Sequence, residues 1–275
     1  MTQNDPGLLE LDAFKFTSGT ISKSRETVVE EEPMEIILSD PEVNDHPYSV
    51  TMRTPGMDLE LAIGYIFSEG LMSSMADVLS MRQGSWSDPA ERNRVFVKLR
   101  RSTLNERGMK EKKVNSSCGI CSKSSVDEVF LKAGSINRSH LSVRHSVLLS
   151  LPSIMLEKQV LFRKTGGIHA AALFKSDGSL AGIAEDVGRH NAVDKVIGSH
   201  LLKDGENFGD CILQVSGRCG FEILQKAAIA GIPIVSSVSA PTSLSVETAR
   251  ALGMTLISFV RSERFTIYSG EWRIS

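Results

Sequence analysis

The pair Cys118 and Cys121, in Ser116-Ser117-Cys118-Gly119-Ile120-Cys121, is the arrangement in this chain best suited to chemistry. Cys-x-x-Cys can do three jobs. It can supply half of a zinc site. It can cycle between dithiol and disulfide. One thiolate can also carry a transferable sulfur as a persulfide, with the second thiol near enough to assist or resolve. Zinc needs two further ligands, and Cys211 and Cys219 are spaced too widely for a second knuckle. Cys219, His169 or His190 can join only through the fold. A thioredoxin-like pair follows a strand and opens a helix, whereas this pair follows a long basic segment. The surroundings favour a reactive thiolate. Gly119 removes bulk and lets the backbone bend. Ser116, Ser117 and Ser122 can donate hydrogen bonds. Lys110, Lys112, Lys113 and Lys123 bring positive charge, which lowers a thiol pKa. For any one of these lysines a solvated charged loop is the plainer reading.

The elements that must position this pair divide into two halves. Residues 1–14 read as a loose tail. Strands are expected around Met34–Leu38, Ser49–Met52 and Val95–Leu99, where apolar residues alternate. A helix is expected from Asp58, acting as cap, to a stop at Gly70. Residues 73–92 read as irregular, with a short helix around Ala76–Leu79. Arg100–Lys113 is an exposed basic segment, a short helix is expected at Ser125–Leu131, and residues 133–145 read as a linker. In the second half a helix is expected at Ser146–Phe162, then a hairpin of Gly166–Phe174 with Leu180–Ile183. Helices at Asn191–Leu202, Phe221–Ala230 and Ser243–Leu252 then alternate with strands at Cys211–Val215, Ile234–Val238 and Thr255–Val260, with a last short strand at Phe265–Tyr268. That alternation predicts an α/β sheet.

Composition bounds the function. The chain has 275 residues, 41% hydrophobic and 23% charged, with a net charge of -2. This suits a soluble globular protein and argues against a broad nucleic-acid or anionic-membrane footprint. No apolar run reaches the roughly 20 residues that span a bilayer, and no secretory signal opens the chain, so a cytoplasmic location is expected. Four cysteines are too few for a disulfide scaffold.

Whole phrases of the sequence resemble one family, the formate dehydrogenase accessory sulfurtransferases called FdhD. In the first half these are Met52-Arg53-Thr54-Pro55-Gly56 and Gly64-Tyr65-Ile66-Phe67-Ser68-Glu69-Gly70. The cysteine loop follows, then Thr165-Gly166-Gly167-Ile168-His169-Ala170-Ala171-Ala172. The fourth phrase is Glu185-Asp186-Val187-Gly188-Arg189-His190-Asn191-Ala192-Val193-Asp194-Lys195. Ser216-Gly217-Arg218, Ala230-Gly231-Ile232-Pro233 and Val238-Ser239-Ala240-Pro241 complete the set. Together they are specific, where a lone Cys-x-x-Cys is not.

The resemblance implies a sulfur relay. A cysteine desulfurase loads a persulfide onto Cys118, and Cys121 assists its release. The sulfur then passes to the molybdenum of a bis-molybdopterin guanine dinucleotide cofactor, carried as bound substrate, before formate dehydrogenase receives that cofactor. The family's cofactor-binding stretch corresponds to Phe259-Val260-Arg261-Ser262-Glu263-Arg264. There Arg261 and Arg264 can fork onto phosphates, and a guanine nucleotide would mimic the ligand. Asp186 can accept from guanine N–H groups or cap a helix. Arg189 and His190 suit phosphate, and Ser216 and Arg218 flank a strand–turn–helix turn able to hold one. The resemblance also implies a homodimer and a cytidine deaminase-like α/β domain at residues 140–275, beside a smaller α+β domain at 15–135. Deaminases need His-x-Glu and a later Pro-Cys-x-x-Cys. Here Ala170 and Ala171 follow His169 and the cysteine pair precedes it, so zinc-dependent deamination is not expected, and His169 is expected to line the cofactor cleft or to satisfy a buried hydrogen bond. Cys219 reads as a packed core thiol. The rival reading is a non-catalytic cofactor chaperone of formate dehydrogenase, its cysteines structural or zinc-bound. A dithiol oxidoreductase is a third.

Overall fold

The computed structural model describes residues 7–41, 44–85, 87–89, 91–100, 141–203, 205 and 207–275. Cys118 and Cys121 lie outside the described residues. So do the basic segment from Arg101 onward, the helix expected at Ser125–Leu131 and the expected boundary at 135–140.

Where a loose tail was expected, Leu8–Thr17 (β1) and Thr20–Val29 (β2) pair along their whole length as an antiparallel hairpin. Ser18 and Gly19 both take positive φ, 51° and 86°, the geometry of a two-residue turn that matches strand twist. Apolar residues fall on both faces of this ribbon, so no clean alternation marks it in the sequence.

Alternation builds the next sheet. β3 (Glu32–Ser39) buries Met34, Ile36 and Leu38, and β6 (Arg94–Leu99) buries Val95, Val97 and Leu99. Parallel register sets Ile36 beside Val95 and Leu38 beside Val97, and residues of one parity share a face. β4 (His46–Arg53) and β5 (Val78–Gln83) complete the order β4-β3-β6-β5. β5 replaces part of the segment read as irregular. Its burial pattern shows no inward-facing alternation, as an edge strand allows.

Helix α1 (Asp58–Ser68) covers the apolar face of this sheet. Asp58 is its first residue rather than its side-chain cap, because its carboxylate takes a fork of hydrogen bonds from Arg53 Nε and Nη2, at 2.9 and 3.0 Å. Arg53 is fully buried, and a buried guanidinium needs a carboxylate of matching geometry.

The second half carries a six-stranded sheet. β7 (His169–Lys175) and β8 (Leu180–Asp186) form the expected hairpin. β9 (Cys211–Val215), β10 (Ile234–Ser237) and β11 (Thr255–Ser258) run parallel to one another, and β12 (Thr266–Ser269) closes one edge. The order is β12-β11-β10-β9-β7-β8. Successive β7 residues enter two different cores: Ala171 and Leu173 face one, Ala170, Ala172 and Phe174 the other. The second core is covered by α2 (His145–Lys158). The helix expected through Phe162 breaks at Gln159, and α3 (Val160–Thr165) follows. Glu185 carboxylate oxygens accept from the Leu161 and Phe162 amides at 2.9 and 2.8 Å and hold that second start.

The first core is shared by both sheets through α1 and α4 (Arg189–Lys203), with α5 (Phe221–Ala230) and α6 (Ser243–Leu252) alongside. α1 and α4 touch backbone to backbone. A Cβ on Gly64 would lie 1.9 Å from the Asp194 carbonyl oxygen, and one on Gly198 would lie 1.9 Å from that of Glu60. Only glycine permits this approach. Beside the crossing, Asp194 accepts from Lys226 of α5 at 2.8 Å and from Ser68 of α1 at 2.9 Å, tying three helices with buried groups.

Candidate functional site

Strand direction decides which loops meet. β8, β9, β10 and β11 end on one edge of the six-stranded sheet, and β7, antiparallel to β8 and β9, begins there. Along that edge lie His169, the Asp186–His190 turn, Ser216–Arg218, Val238–Pro241 and the loop Phe259–Arg264. This carboxyl edge is where open α/β sheets offer ligand sites. Each described candidate residue therefore stands on the same rim.

Asp186 is the buried anchor of the first turn. Its carboxylate meets Lys195 Nζ at 2.7 Å and accepts from the amides of Thr54 and Gly188 and from Asn191 Nδ2, at 3.2, 2.8 and 3.0 Å. Lys195 also donates to the Thr54 carbonyl at 2.7 Å. These bonds occupy the carboxylate inside the protein, so its side chain holds the turn that presents Arg189 and His190 rather than facing the rim. His190 Nε2 lies 2.7 Å from a carboxylate oxygen of Glu222 in the first turn of α5, and that contact, through its hydrogen bond, holds the Glu222 carboxyl below the usual range. Glu222 was not singled out in the sequence. It lies far along the chain from His190, and only the fold brings it there.

His169 stands between these groups, half-buried, its ring against Gly217, where a Cβ would come within 3.2 Å of Nδ1. Its pKa is lowered, first by burial, then by the charges of Arg189 and His190 and, more weakly, Arg218; Asp186 opposes them. Cations from separate loops thus bear on one imidazole. Such a cluster, with half-buried Arg189 and exposed Arg218, can bind a compact anion such as phosphate. Ser216 fixes its loop to β7: its Oγ accepts from the Ala170 amide at 2.9 Å, and its own amide donates to the Ala170 carbonyl at 3.0 Å.

The β10 loop links this group to the β11 loop. Ser237 Oγ donates to the Gly217 carbonyl at 2.8 Å and accepts from the Ser239 amide at 3.1 Å. The amides of Phe259 and Val260 donate to the carbonyls of Ser239 and Ser237. Arg261 Nη1 donates to the Val238 and Val260 carbonyls at 2.6 and 2.8 Å. Val260 is fully buried in the core under α2, so its side chain anchors the loop. Arg261, Ser262, Glu263 and Arg264 are exposed. Phe259 is 42% exposed and takes φ 56°, a conformation costly for a bulky residue. Phe259, Arg261, Arg264, Phe265 and Thr266 line a recess of about 260 Å³.

The remaining cysteines are free and buried. Burial pushes the Cys219 thiol up to about 12 and the Cys211 thiol up to about 11, so both are inert, and Cys219 is the packed core thiol expected. Among the described residues no three His, Cys, Asp or Glu side chains gather closely enough to hold a metal ion. Among them, too, no helix is long and apolar enough to cross a membrane.

Comparison with known proteins agrees with the resemblance. A relative from Thermoplasma volcanium, named sulfur carrier protein FdhD, is 46% identical over 253 residues, covering 92% of this chain and 90% of the relative. One of the same name from Saccharolobus solfataricus is 43% identical over 252 residues, covering 92% of each chain. A crystal structure of a Desulfotalea psychrophila protein, described as a formate dehydrogenase accessory protein, shares the fold. Its TM-score is 0.75 at 24% identity, over 98% of this chain and 100% of that one. The model of the FdhD/NarQ family matches residues 29–275, and with relatives this similar over nine-tenths of its length the chain belongs to the FdhD/NarQ family.

Proposed function

We propose that this chain is a sulfur carrier serving formate dehydrogenase, which takes sulfur onto Cys118 and gives it to the molybdenum of a bis-molybdopterin guanine dinucleotide. The name shared by its relatives supports the carrier role. The observation that carries the cofactor half is the basic rim: Arg189 and His190 from one turn and Arg218 from another stand around His169. A cofactor bearing several phosphates needs such a rim, and Arg264 in the exposed β11 loop extends it. In this reading Asp186 and Val260 position those loops, and Phe259 offers an exposed ring to a guanine. The β7–β8 hairpin followed by parallel strands supports a deaminase-like domain at 140–275, beside a smaller domain at 15–135.

The sulfur steps balance with the two thiols alone. Cys118 thiolate attacks the terminal sulfur of a desulfurase persulfide, and the donor cysteine leaves as thiolate. Attack of Cys121 thiolate on Cys118 Sγ then forms a Cys118–Cys121 disulfide and releases hydrosulfide toward the metal. The two thiols supply the two electrons that reduce the sulfane sulfur.

The test is mass spectrometry after incubation with a desulfurase and cysteine. A sulfur-sized mass gain in the native chain, absent from Cys118→Ala, is expected. Bound zinc with no mass gain would instead establish the chaperone reading. In parallel, Arg264→Ala should weaken binding of a guanine nucleotide.

A further inference from the structure

We infer that Glu222 is a positioning residue of the rim: it holds the ring of His190 so that one nitrogen is fixed to the protein and the other is offered to a phosphate. The inference rests on the reading that this rim holds the phosphates of a guanine-bearing cofactor. It starts from a mismatch of charge. Arg189, Arg218, His169 and His190 gather there, yet a carboxylate stands among them, 2.7 Å from His190 Nε2 and 31% exposed. That carboxyl is held below its usual range, first by the hydrogen bond from His190, then by the charges of His190, Lys226 and Arg189, with burial opposing. It is therefore an anion at neutral pH, and an anion beside an anion site weakens binding by plain Coulomb repulsion. Stability does not account for it either. An ion pair this exposed contributes little, and α4 and α5 are already joined beneath it by the buried Asp194–Lys226 pair.

The chemistry of the two groups resolves the mismatch. An ionised carboxylate only accepts hydrogen bonds, so Nε2 of His190 carries the proton between them. Nδ1 of the same ring has no hydrogen-bond partner among the described residues. The outer torsion of a histidine is broad and roughly two-fold, and the bond made by one ring nitrogen sets the state of the other. Glu222 thus decides both the orientation of the ring and the place of its proton. When the ring is charged, Nδ1–H points away from the carboxylate and is free for a phosphate oxygen. Glu222 is itself placed by a contact one turn deeper. His190 and Asp194 lie four residues apart on α4, and Glu222 and Lys226 four apart on α5, so each pair shares a helix face. Lys226 meets Asp194 at 2.8 Å. The same two faces therefore meet twice, once in the core and once at the rim, with the signs exchanged. The deeper contact fixes the spacing of the helices, and with it the reach of Glu222 to His190.

The test is calorimetric titration of guanosine diphosphate into the full chain. Glu222→Ala should bind it about 10-fold more weakly than the native chain, the loss expected for one hydrogen bond to a charged group. Glu222→Gln, whose amide oxygen still accepts from Nε2, should fall between the two, and it carries the test should Glu222→Ala fail to fold. In a His190→Ala background, Glu222→Ala should no longer weaken binding, because its effect passes through the ring. Nitrogen-15 spectra of the neutral ring should place the proton on Nε2 in the native chain and divide it between both nitrogens in Glu222→Ala. Tighter binding in Glu222→Ala or Glu222→Gln, an equal loss with and without His190, or an unchanged ring would overturn the role of Glu222 and leave the cofactor reading standing. A native chain that binds no guanosine diphosphate would refute that reading, and this inference with it.

Discussion

Lys195→Met tests whether the rim rests on a buried ion pair. Lys195 is 1% exposed and Asp186 is 0% exposed, with 2.7 Å between Nζ and Oδ2. Methionine keeps most of the stem volume, so the loss is electrostatic rather than a cavity. Removing one partner of such a pair leaves an uncompensated buried charge and typically costs about 3–5 kcal/mol. Asp186 keeps three hydrogen bonds, from Thr54, Gly188 and Asn191, which places the expected loss near the lower figure, about 3 kcal/mol. That is a fall of roughly 100-fold in the folded-to-unfolded ratio. Asp186→Asn alone should destabilise as well, by stranding Lys195. The double variant should lose less than the sum of the two, with a coupling of at least about 1 kcal/mol. Urea unfolding followed by circular dichroism measures all four chains. A loss below about 1 kcal/mol for Lys195→Met, or strict additivity, would show that the pair does not support the turn.

Further outcomes follow from other contacts. Gly64→Ala sets a Cβ 1.9 Å from a backbone oxygen, so α1 must lift from α4; a loss of about 3 kcal/mol or failure to fold is expected in the same urea assay. Because burial and nearby cations depress the His169 pKa, the unfolded chain takes up its proton first as pH falls through about 6.5. The contribution of His169 to stability is therefore full above that pH and is lost below it, until the folded value is reached. Thermal unfolding across this range should show the slope in the native chain and a reduced one in His169→Gln; identical slopes would refute it. Glu222 works in the same direction at lower pH: its depressed pKa contributes stability above its ordinary value that is lost as pH falls through the folded one, and Glu222→Gln should lessen acid sensitivity there.

Much of the second half was legible because each element carries its own punctuation. Phe221–Ala230 ends on Gly231, and both its bounds were readable. Ser243–Leu252 was readable too, although its cap is Thr242, whose side chain accepts from Ser245. The hairpin and β5 were not legible. Their side chains are largely exposed on both faces, so burial imposes no period on the sequence. The rim was readable as separate phrases, but not as a circuit. Nothing local says that Glu222 reaches His190, that Thr54 braces Asp186, or that Ser237 joins the Gly217 turn to the Phe259 loop. Those links depend on strand order, which no single segment specifies.

The rim's design separates support from presentation. The groups beneath it are buried or half-buried and mutually bonded: Asp186 with Lys195, Ser216 with Ala170, Ser237 with Gly217. The groups on top, Arg218, Arg261 and Arg264, are exposed at the tips of those supports. An arginine held by its loop loses less freedom when an anion binds than one on a mobile segment. Arg261 shows the arrangement most directly, since one of its nitrogens is already committed to the Val238 and Val260 carbonyls and the guanidinium is fixed before any ligand arrives. Phe259 adds the opposite feature, a bulky residue held at positive φ because Ser239 and Ser237 grip the backbone on either side of its peptide. Strain persists only where the surroundings over-determine it. Its place in a loop that joins an exposed aromatic ring to exposed arginines is what the proposed cofactor role, a ligand with both a flat ring and a charge, requires of it.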